Sequence, residues 1–428
     1  MHFIDLRNNI LEEGKWEQYL QRPAFDASSL HNKVKNILQD VKQNGNTALK
    51  KYAEQFDGVC LNEFAVSQKE IDEAIKQVDE NLKEAIAIAA KNIRLFHERQ
   101  LAQKEIIQTM PGIFCWRKSV AIDKVGLYIP GGSAPLFSTI LMLAIPANIA
   151  GCKEIIMCSP PGKNGKLNAA IIYAAHVVGI TKIYKIGGVQ AIAAMAYGTE
   201  SIEKVYKIFG PGNQYVTCAK QLIQQDGIAI DMPAGPSEVC VLADESANIS
   251  FVAADLLSQA EHGADSQVLL ITTNERLAGE IKIEIEQQLQ QLPRKDIAEK
   301  ALQNSKIILV ENINEAIKIA NEYAPEHLII CCVNDEKIAE KITNAGSVFL
   351  GNFSPESVGD YASGTNHTLP TNGFANAYSG VSVDSFVKKI TFQKLTQQGL
   401  QQIGKTVQLM AEAEGLQAHA NAVTIRLK

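Results

Sequence analysis

The chain has 428 residues, 46% of them hydrophobic and 21% charged, with 41 basic and 47 acidic side chains for a net charge of −6. That length exceeds one ordinary core and points to two or three domains of a soluble globular protein. Neither charge sign forms a long block, which argues against an electrostatic grip on nucleic acid or an anionic membrane.

The opening residues lack a basic region followed by an apolar one, so no secretory signal is expected. The longest apolar run, 140–150, is broken by Pro146 and falls well under the roughly 18 residues of a membrane span. Eight cysteines (60, 115, 152, 158, 218, 240, 331 and 332) show no Cys-x-x-Cys spacing. Free thiols in a reducing cytoplasm are expected, and no pattern selects a cysteine nucleophile.

In chain order, residues 1–22 read as a short polar segment with some helical character and too few apolar residues to fold alone. Residues 27–55 look helical. The clearest helix is 67–100, where Ile71, Ile75, Val78, Leu82, Ile86, Ala89, Ile93 and Phe96 alternate by threes and fours. His97, beside Arg94 and Arg99, reads as a surface residue. From Lys124 strands open at Val125, Glu154, Ile183 and Val205, each followed by a helix. A second alternating set has strands at 238–243, 267–272, 306–310, 327–333 and 346–350. Such alternation implies parallel sheets wound by crossovers. Gly/Pro hinges at 130–132 and 233–236 suggest that one set is inserted in the other.

The expected fold is α/β, with two Rossmann-like parallel-sheet domains. A main domain spans 23–129 and 238–381, an inserted domain spans 130–237, and terminal segments cover 1–22 and 382–428. Residues 351–381 lack periodicity and are rich in Gly, Ser, Asn and Thr, as functional loops are. Residues 385–415 are read as polar helix and 422–427 as strand-like.

Chemistry concentrates at four places. In 246–265 an apolar stripe of Ile249, Val252, Ala253, Leu256, Leu257 and Ala260 leaves Asp255, Gln259 and His262 along one flank of a helix. Gly263 is a natural stop. Gln259 and His262, three apart, can reach one ion; a solvated face ending in a histidine favoured by the helix dipole is the alternative. Pro325-Glu326-His327 sets two proton-transfer groups at the lip of a strand, or forms an ordinary surface turn. The loop 359–367 carries Asp360, a hard ligand or an Asx turn, and His367. Glu414 and His419 flank a sharp turn after a helix, where a satisfied histidine is also common. No Gly-x-Gly-x-x-Gly follows a strand, because Gly210-Pro211-Gly212 lacks the last glycine. Spacing alone therefore does not establish a nicotinamide cofactor.

Taken together, the runs 125–133, 187–199, 210–215, 231–238, 258–263, 323–328, 359–367 and 414–420 resemble the histidinol dehydrogenase family nearly end to end. The resemblance implies oxidation of L-histidinol to L-histidine by way of the aldehyde, with two NAD⁺ and one water. It implies Zn²⁺, one per subunit, on Gln259, His262, Asp360 and His419, a mixed N/O set that suits zinc. Substrate would touch Ser237, Gln259, His262, His327, Asp360, Glu414 and His419, with His327 as general base and Glu326 activating water. NAD would lie along Tyr128, Gln190 and Asn213. The family also implies a cytoplasmic homodimer in which Glu414 and His419 act in the neighbouring subunit's site. The competing readings are a zinc-dependent hydrolase, a cysteine-based aldehyde dehydrogenase and a non-catalytic metal-binding scaffold.

Overall fold

The computed structural model describes residues 1–7, 16–22, 27–131 and 135–428. Gly132 and Ser133 of the first glycine turn lie outside the described residues. The strands are β1 (His2–Asp5), β2 (Ile106–Met110), β3 (Ile113–Ala121), β4 (Lys124–Tyr128), β5 (Glu154–Ser159), β6 (Lys182–Lys185) and β7 (Lys207–Phe209). They continue with β8 (Ala229–Ile230), β9 (Glu238–Ala243), β10 (Gln267–Thr272), β11 (Lys306–Leu309), β12 (His327–Cys331), β13 (Ser347–Leu350) and β14 (Val387–Leu395). Among the described residues they form a six-stranded sheet in the order β1-β11-β10-β9-β12-β13 and a five-stranded sheet in the order β6-β5-β4-β7-β8. Both are parallel throughout. A third sheet, β14-β3-β2, is antiparallel.

The period of two along each strand explains why the large sheet is buried on both faces. Val239 and Val241 of β9, Val268 and Leu270 of β10, and Ile329 of β12 face one core, shared with Val252 and Leu256 of the helix Ile249–Ala260. Their neighbours Cys240, Leu242, Leu269, Ile271, Leu328 and Ile330 face the other. Burying each such side chain is worth about 1.5–3 kcal/mol. A slip of one residue would exchange the two faces, so the register is tightly held. The five-stranded sheet is sandwiched in the same way. The helix Ala27–Tyr52 covers one face with Val34, Leu38 and Leu49, and the helix Glu80–Glu98 packs Ile86 and Ile93 toward the other.

Several expectations need correction. β4, assigned by sequence to the main domain, hydrogen-bonds to both β5 and β7 and lies inside the five-stranded sheet, so the strands of that sheet start at Lys124 rather than after 130. Residues 27–98 pack against the same sheet. Residues 2–5 are a strand, because they extend the large sheet along β11. The run 67–100 is two helices, Gln68–Gln77 and Glu80–Glu98: Val78 is extended and Asp79 caps the second. Ser67 and Glu70 form a reciprocal capping box on the first. Residues 387–395 form β14, which pairs with the long strand β3, before the helix Gln397–Ala413. Residues 422–427 lie within the helix Gln417–Leu427 and are not a strand. His97 is fully buried: Nδ1–H donates to the Ile93 carbonyl at 2.8 Å, and Nε2 faces the Asn366 amide.

The turn after β7 is held from beneath. Gly210 has φ +129°, and a side chain there would strike the Tyr128 carbonyl. Buried Lys220 donates to the Gly210 carbonyl at 2.8 Å and pairs with buried Asp231 at 2.5 Å, whose other oxygen accepts from Gly210 N–H. Removing one partner of such a pair strands a buried charge, which costs about 3–5 kcal/mol. Lys220→Met is therefore expected to lower the unfolding free energy by about that amount in urea denaturation, and Lys220→Met with Asp231→Leu to recover much of it. Equal stability of parent and single variant would contradict this account.

Candidate active site

The carboxyl end of the five-stranded sheet faces the amino end of the six-stranded one. Between them lies a cleft of about 760 Å³. Tyr128 at the end of β4 and the turn Gly210–Asn213 after β7 line one side; Ser237 before β9, His262–Ser266 before β10 and Glu326 before β12 line the other. A second cavity of about 1230 Å³ adjoins it and shares Tyr128, Gly131 and Asn213. Gln190 lines this second cavity, so all three residues expected along NAD line it.

Tyr128 is buried, its phenol accepts from Gly188 N–H at 3.1 Å, and burial pushes its pKa up to about 12. It therefore stays protonated near neutral pH. Asn213 caps the helix Gln214–Ile223, its Oδ1 accepting from Tyr215 and Val216 N–H. Gln190 Oε1 is buried with no hydrogen-bond partner.

On the opposite side β9 organises the chemistry. Glu238 N–H donates to Glu326 Oε2 at 2.9 Å, while the Glu238 carbonyl lies 3.2 Å from His327 Nδ1. His327 Nε2 lies 3.2 Å from Asp360 Oδ1, and Gln259 Nε2 lies 3.1 Å from Nδ1. With Nε2–H donating to Asp360, neutral Nδ1 accepts from Gln259; once protonated, Nδ1–H has the Glu238 carbonyl to donate to. The ring thus has a partner in either state. Burial raises the Glu326 pKa despite the nearby imidazole and the Glu238 amide. For His327, burial disfavours charge, but Glu326 and Asp360 outweigh it and raise its pKa. Burial also works to raise Asp360, yet the hydrogen bond and charge of His327, with His367 and His262, hold it below its usual value.

Four of the residues expected around metal and base thus meet: Gln259, Glu326, His327 and Asp360. His262 stands in the turn beyond the helix Ile249–Ala260, not on its face, and is joined to it by a His262 N–H to Gln259 carbonyl bond of 3.2 Å. Gly263 is not the expected left-handed stop, since its φ is not positive; a side chain there would meet Asp265. His262 keeps an open edge to the cleft, while desolvation by the surrounding protein lowers its pKa against the pull of Asp360. His367 braces the loop, with Nδ1–H donating to the Asp360 carbonyl at 2.7 Å and Nε2 3.1 Å from Thr139 Oγ1. Glu414 and His419 are not brought to the cluster. Both are exposed on the C-terminal helix pair.

Glu356 escaped the sequence reading. It is buried, accepts from Ser258 Oγ at 2.6 Å and from Gln259 Nε2 at 2.9 Å, and burial pushes its pKa up to about 7. A signal existed: Pro355 starts the helix Glu356–Tyr361, which sets Glu356 and Asp360 one turn apart on one face. Cys218 is the only cysteine lining either cavity among the described residues, and burial raises its pKa, which disfavours a thiolate nucleophile.

The family model for histidinol dehydrogenase matches residues 20–427. The chain belongs to the histidinol dehydrogenase family. It is 60% identical over 417 residues to a histidinol dehydrogenase of Bacteroides fragilis, covering 97% of each chain, and 52% identical over 420 residues to that of Mannheimia succiniciproducens, again 97% of each. The crystal structure of histidinol dehydrogenase from Elizabethkingia anophelis superposes with a TM-score of 0.96 at 56% identity, covering 100% of this chain and 98% of that one. As a histidinol dehydrogenase family member the chain is an oxidoreductase that converts histidinol to histidine with NAD as electron acceptor.

Gly346 precedes β13, donates its N–H to the Pro325 carbonyl at 2.9 Å, and leaves no room for a Cβ against the Glu326 carbonyl. Gly346→Ala is expected to shift the Glu326–His327 lip and lower kcat about tenfold to a hundredfold. Steady-state NADH kinetics beside circular dichroism checks it; a folded variant with parent kcat would show that the lip tolerates displacement.

Proposed function

We propose that both oxidations occur at the cleft between the two parallel sheets, with His327 as general base and Glu326 as the group that activates water. The observation that carries this reading is the buried Glu326–His327 pair, whose carboxylate opens on the same cleft as Tyr128 and Asn213. As the base His327 takes the tautomer in which Nδ1–H donates to the Glu238 carbonyl, which leaves Nε2 unprotonated to take the alcohol proton as hydride passes to the first NAD⁺. Glu326 then takes a proton from water as its oxygen adds to the aldehyde carbon. Protonated His327 returns its proton to the aldehyde oxygen as the diol forms, then takes a proton from the diol as a hydride passes to the second NAD⁺. The carboxylic acid so formed loses its proton to solvent, as do Glu326 and His327, leaving the carboxylate.

The donors fit zinc. Gln259 Oε1 is buried and without a partner, Asp360 is held ionised, and His262 is biased to the neutral imidazole that binds metal. When bound, Zn²⁺ would anchor the substrate and act as a template. Among the described residues of one chain, no group of three or more His, Cys, Asp or Glu side chains could hold a metal. We assign the missing ligand, His419, and the substrate contact Glu414 to a second copy of the chain. Exposed apolar side chains support that assembly: Ile106, Ile107, Ile390 and Phe392 on the antiparallel sheet, and Leu409, Met410 and Ile425 on the C-terminal helices. Tyr128, Gln190 and Asn213 would hold NAD. No helix among the described residues is long and apolar enough to cross a membrane. The free cysteines suit reaction in the cytoplasm.

With L-histidinol and NAD⁺, two NADH should form per histidine, and one NADH with accumulation of aldehyde would overturn the four-electron reading. Glu326→Gln is expected to slow oxidation of the aldehyde by about 10²–10⁴-fold while sparing the alcohol step. Equal losses in both half-reactions, measured separately by stopped flow, would remove its role as water activator. Mixing inactive His419→Ala and His327→Ala chains should recover about a quarter of parent activity, through mixed dimers with one intact site. No recovery despite proven subunit exchange would place the whole site in one chain.

A further inference from the structure

Gln259 is an unusual metal donor because its amide has two chemically different ends. Only the oxygen can bind a cation, and a half-turn about the last bond exchanges it with a nitrogen that cannot. The partners of that amide are asymmetric. Nε2 has two, Glu356 Oε2 at 2.9 Å and His327 Nδ1 at 3.1 Å, whereas Oε1 is buried with none.

We propose that Glu356 is the positioning residue that fixes the orientation of the Gln259 amide, so that its oxygen, not its nitrogen, is presented to the metal. The inference rests on the reading of Gln259 as a zinc ligand. Turning the amide over would bring Oε1 against Glu356 Oε2, setting two acceptors face to face in a buried site, at a cost comparable to losing a buried hydrogen bond. Glu356 is itself anchored by Ser258 on the same helix as Gln259, with Ser258 Oγ 2.6 Å from Oε1 and 2.8 Å from the Asp255 carbonyl. This geometry does not depend on the charge of Glu356. If ionised, it accepts from Ser258; if protonated, its O–H donates to Ser258, whose own hydroxyl then donates to the Asp255 carbonyl. In both cases Oε2 remains an acceptor for Gln259. Sitting one turn before Asp360, Glu356 also ties two elements that supply metal donors to one another. Partners behind a ligand commonly govern metal affinity by 10–100-fold (roughly) when removed.

The test reads zinc rather than turnover. Full-length, metal-free chain is titrated with Zn²⁺ against a chromophoric chelator, with bound metal counted by elemental analysis. Glu356→Leu, which removes the acceptor, should weaken zinc binding about 10–100-fold. Glu356→Gln should stay close to the parent, because its carbonyl still accepts from Gln259 and its amide can donate to Ser258. NAD affinity, measured by fluorescence titration, should be unchanged in both. If Glu356→Leu does not fold, Glu356→Asp carries the same test, since its shorter stem does not span Ser258 and Gln259; it too should lose zinc affinity. Parent-like affinity in the Leu or Asp variant, or an equal loss in the Gln variant, would overturn the positioning role. Gln259→Leu separates the two ideas. If it loses zinc while Glu356→Leu does not, only this inference fails; if the parent chain takes up no zinc, the metal reading fails and this one with it.

Discussion

The parallel pairing of β12 with β9 is the constraint on which the site depends. Through that pairing, the first residue of β9 offers its N–H to the Glu326 carboxylate and its carbonyl to the His327 ring. The Glu326 carboxylate and the His327 imidazole therefore inherit the rigidity of a central strand pair rather than that of a loop. Glu238 is in turn pinned by Arg22, whose Nε lies 2.5 Å from its carboxylate and whose guanidinium stacks on Tyr323 at 4.1 Å. Burial raises the Glu238 carboxyl against the pull of Arg22, so this pair places the strand end at an energetic cost that the packing around it must offset.

Two ends of parallel sheets meet at the cleft, and each brings different chemistry. Ligand crevices in open α/β sheets usually lie at the carboxyl ends of the strands, as Tyr128 and the turn 210–212 do here. Glu326 and His327 instead lie at the amino end of the larger sheet. There the first strand N–H groups lack partners within the sheet, and a carboxylate is what such groups favour. The Glu238 N–H to Glu326 bond is that preference realised. A dinucleotide-sized space on one side and a carboxylate–imidazole pair on the other suit a reaction that moves hydride and proton in opposite directions.

One chain leaves the site open. His262 keeps an exposed edge, Gln259 Oε1 lacks a partner, and the C-terminal helices display Leu409, Met410 and Ile425 to solvent. The exposed apolar side chains of the C-terminal helices lie on the same segment as Glu414 and His419, the two polar residues that the proposed assembly would bring to the site.

Alternation of strand and helix was legible without coordinates, because strands buried on both faces read as continuous apolar runs and their crossovers carry helical period. The family was legible through the ordered set of motifs, though no single one of them was specific, and the structure brings Gln259, Glu326, His327 and Asp360 within contact of one another. What sequence pattern could not decide came from contacts distant along the chain. β4 looks the same whichever sheet it joins, and only its hydrogen bonds to β5 and β7 decide. Residues 2–5 and 387–395 are strands because an existing edge accepts them, not because their composition is strand-like. His97 is flanked by arginines and still buried, since the loop carrying Asn366 folds over it. Glu356 is an acidic residue like many others until Ser258 and Gln259 meet it across 97 and 98 positions. The sequence by itself determined the local periodicities and the residue types for the chemistry; the tertiary structure decided which polar atoms are paired and which are left free, because that depends on groups brought together only when both sheets have formed.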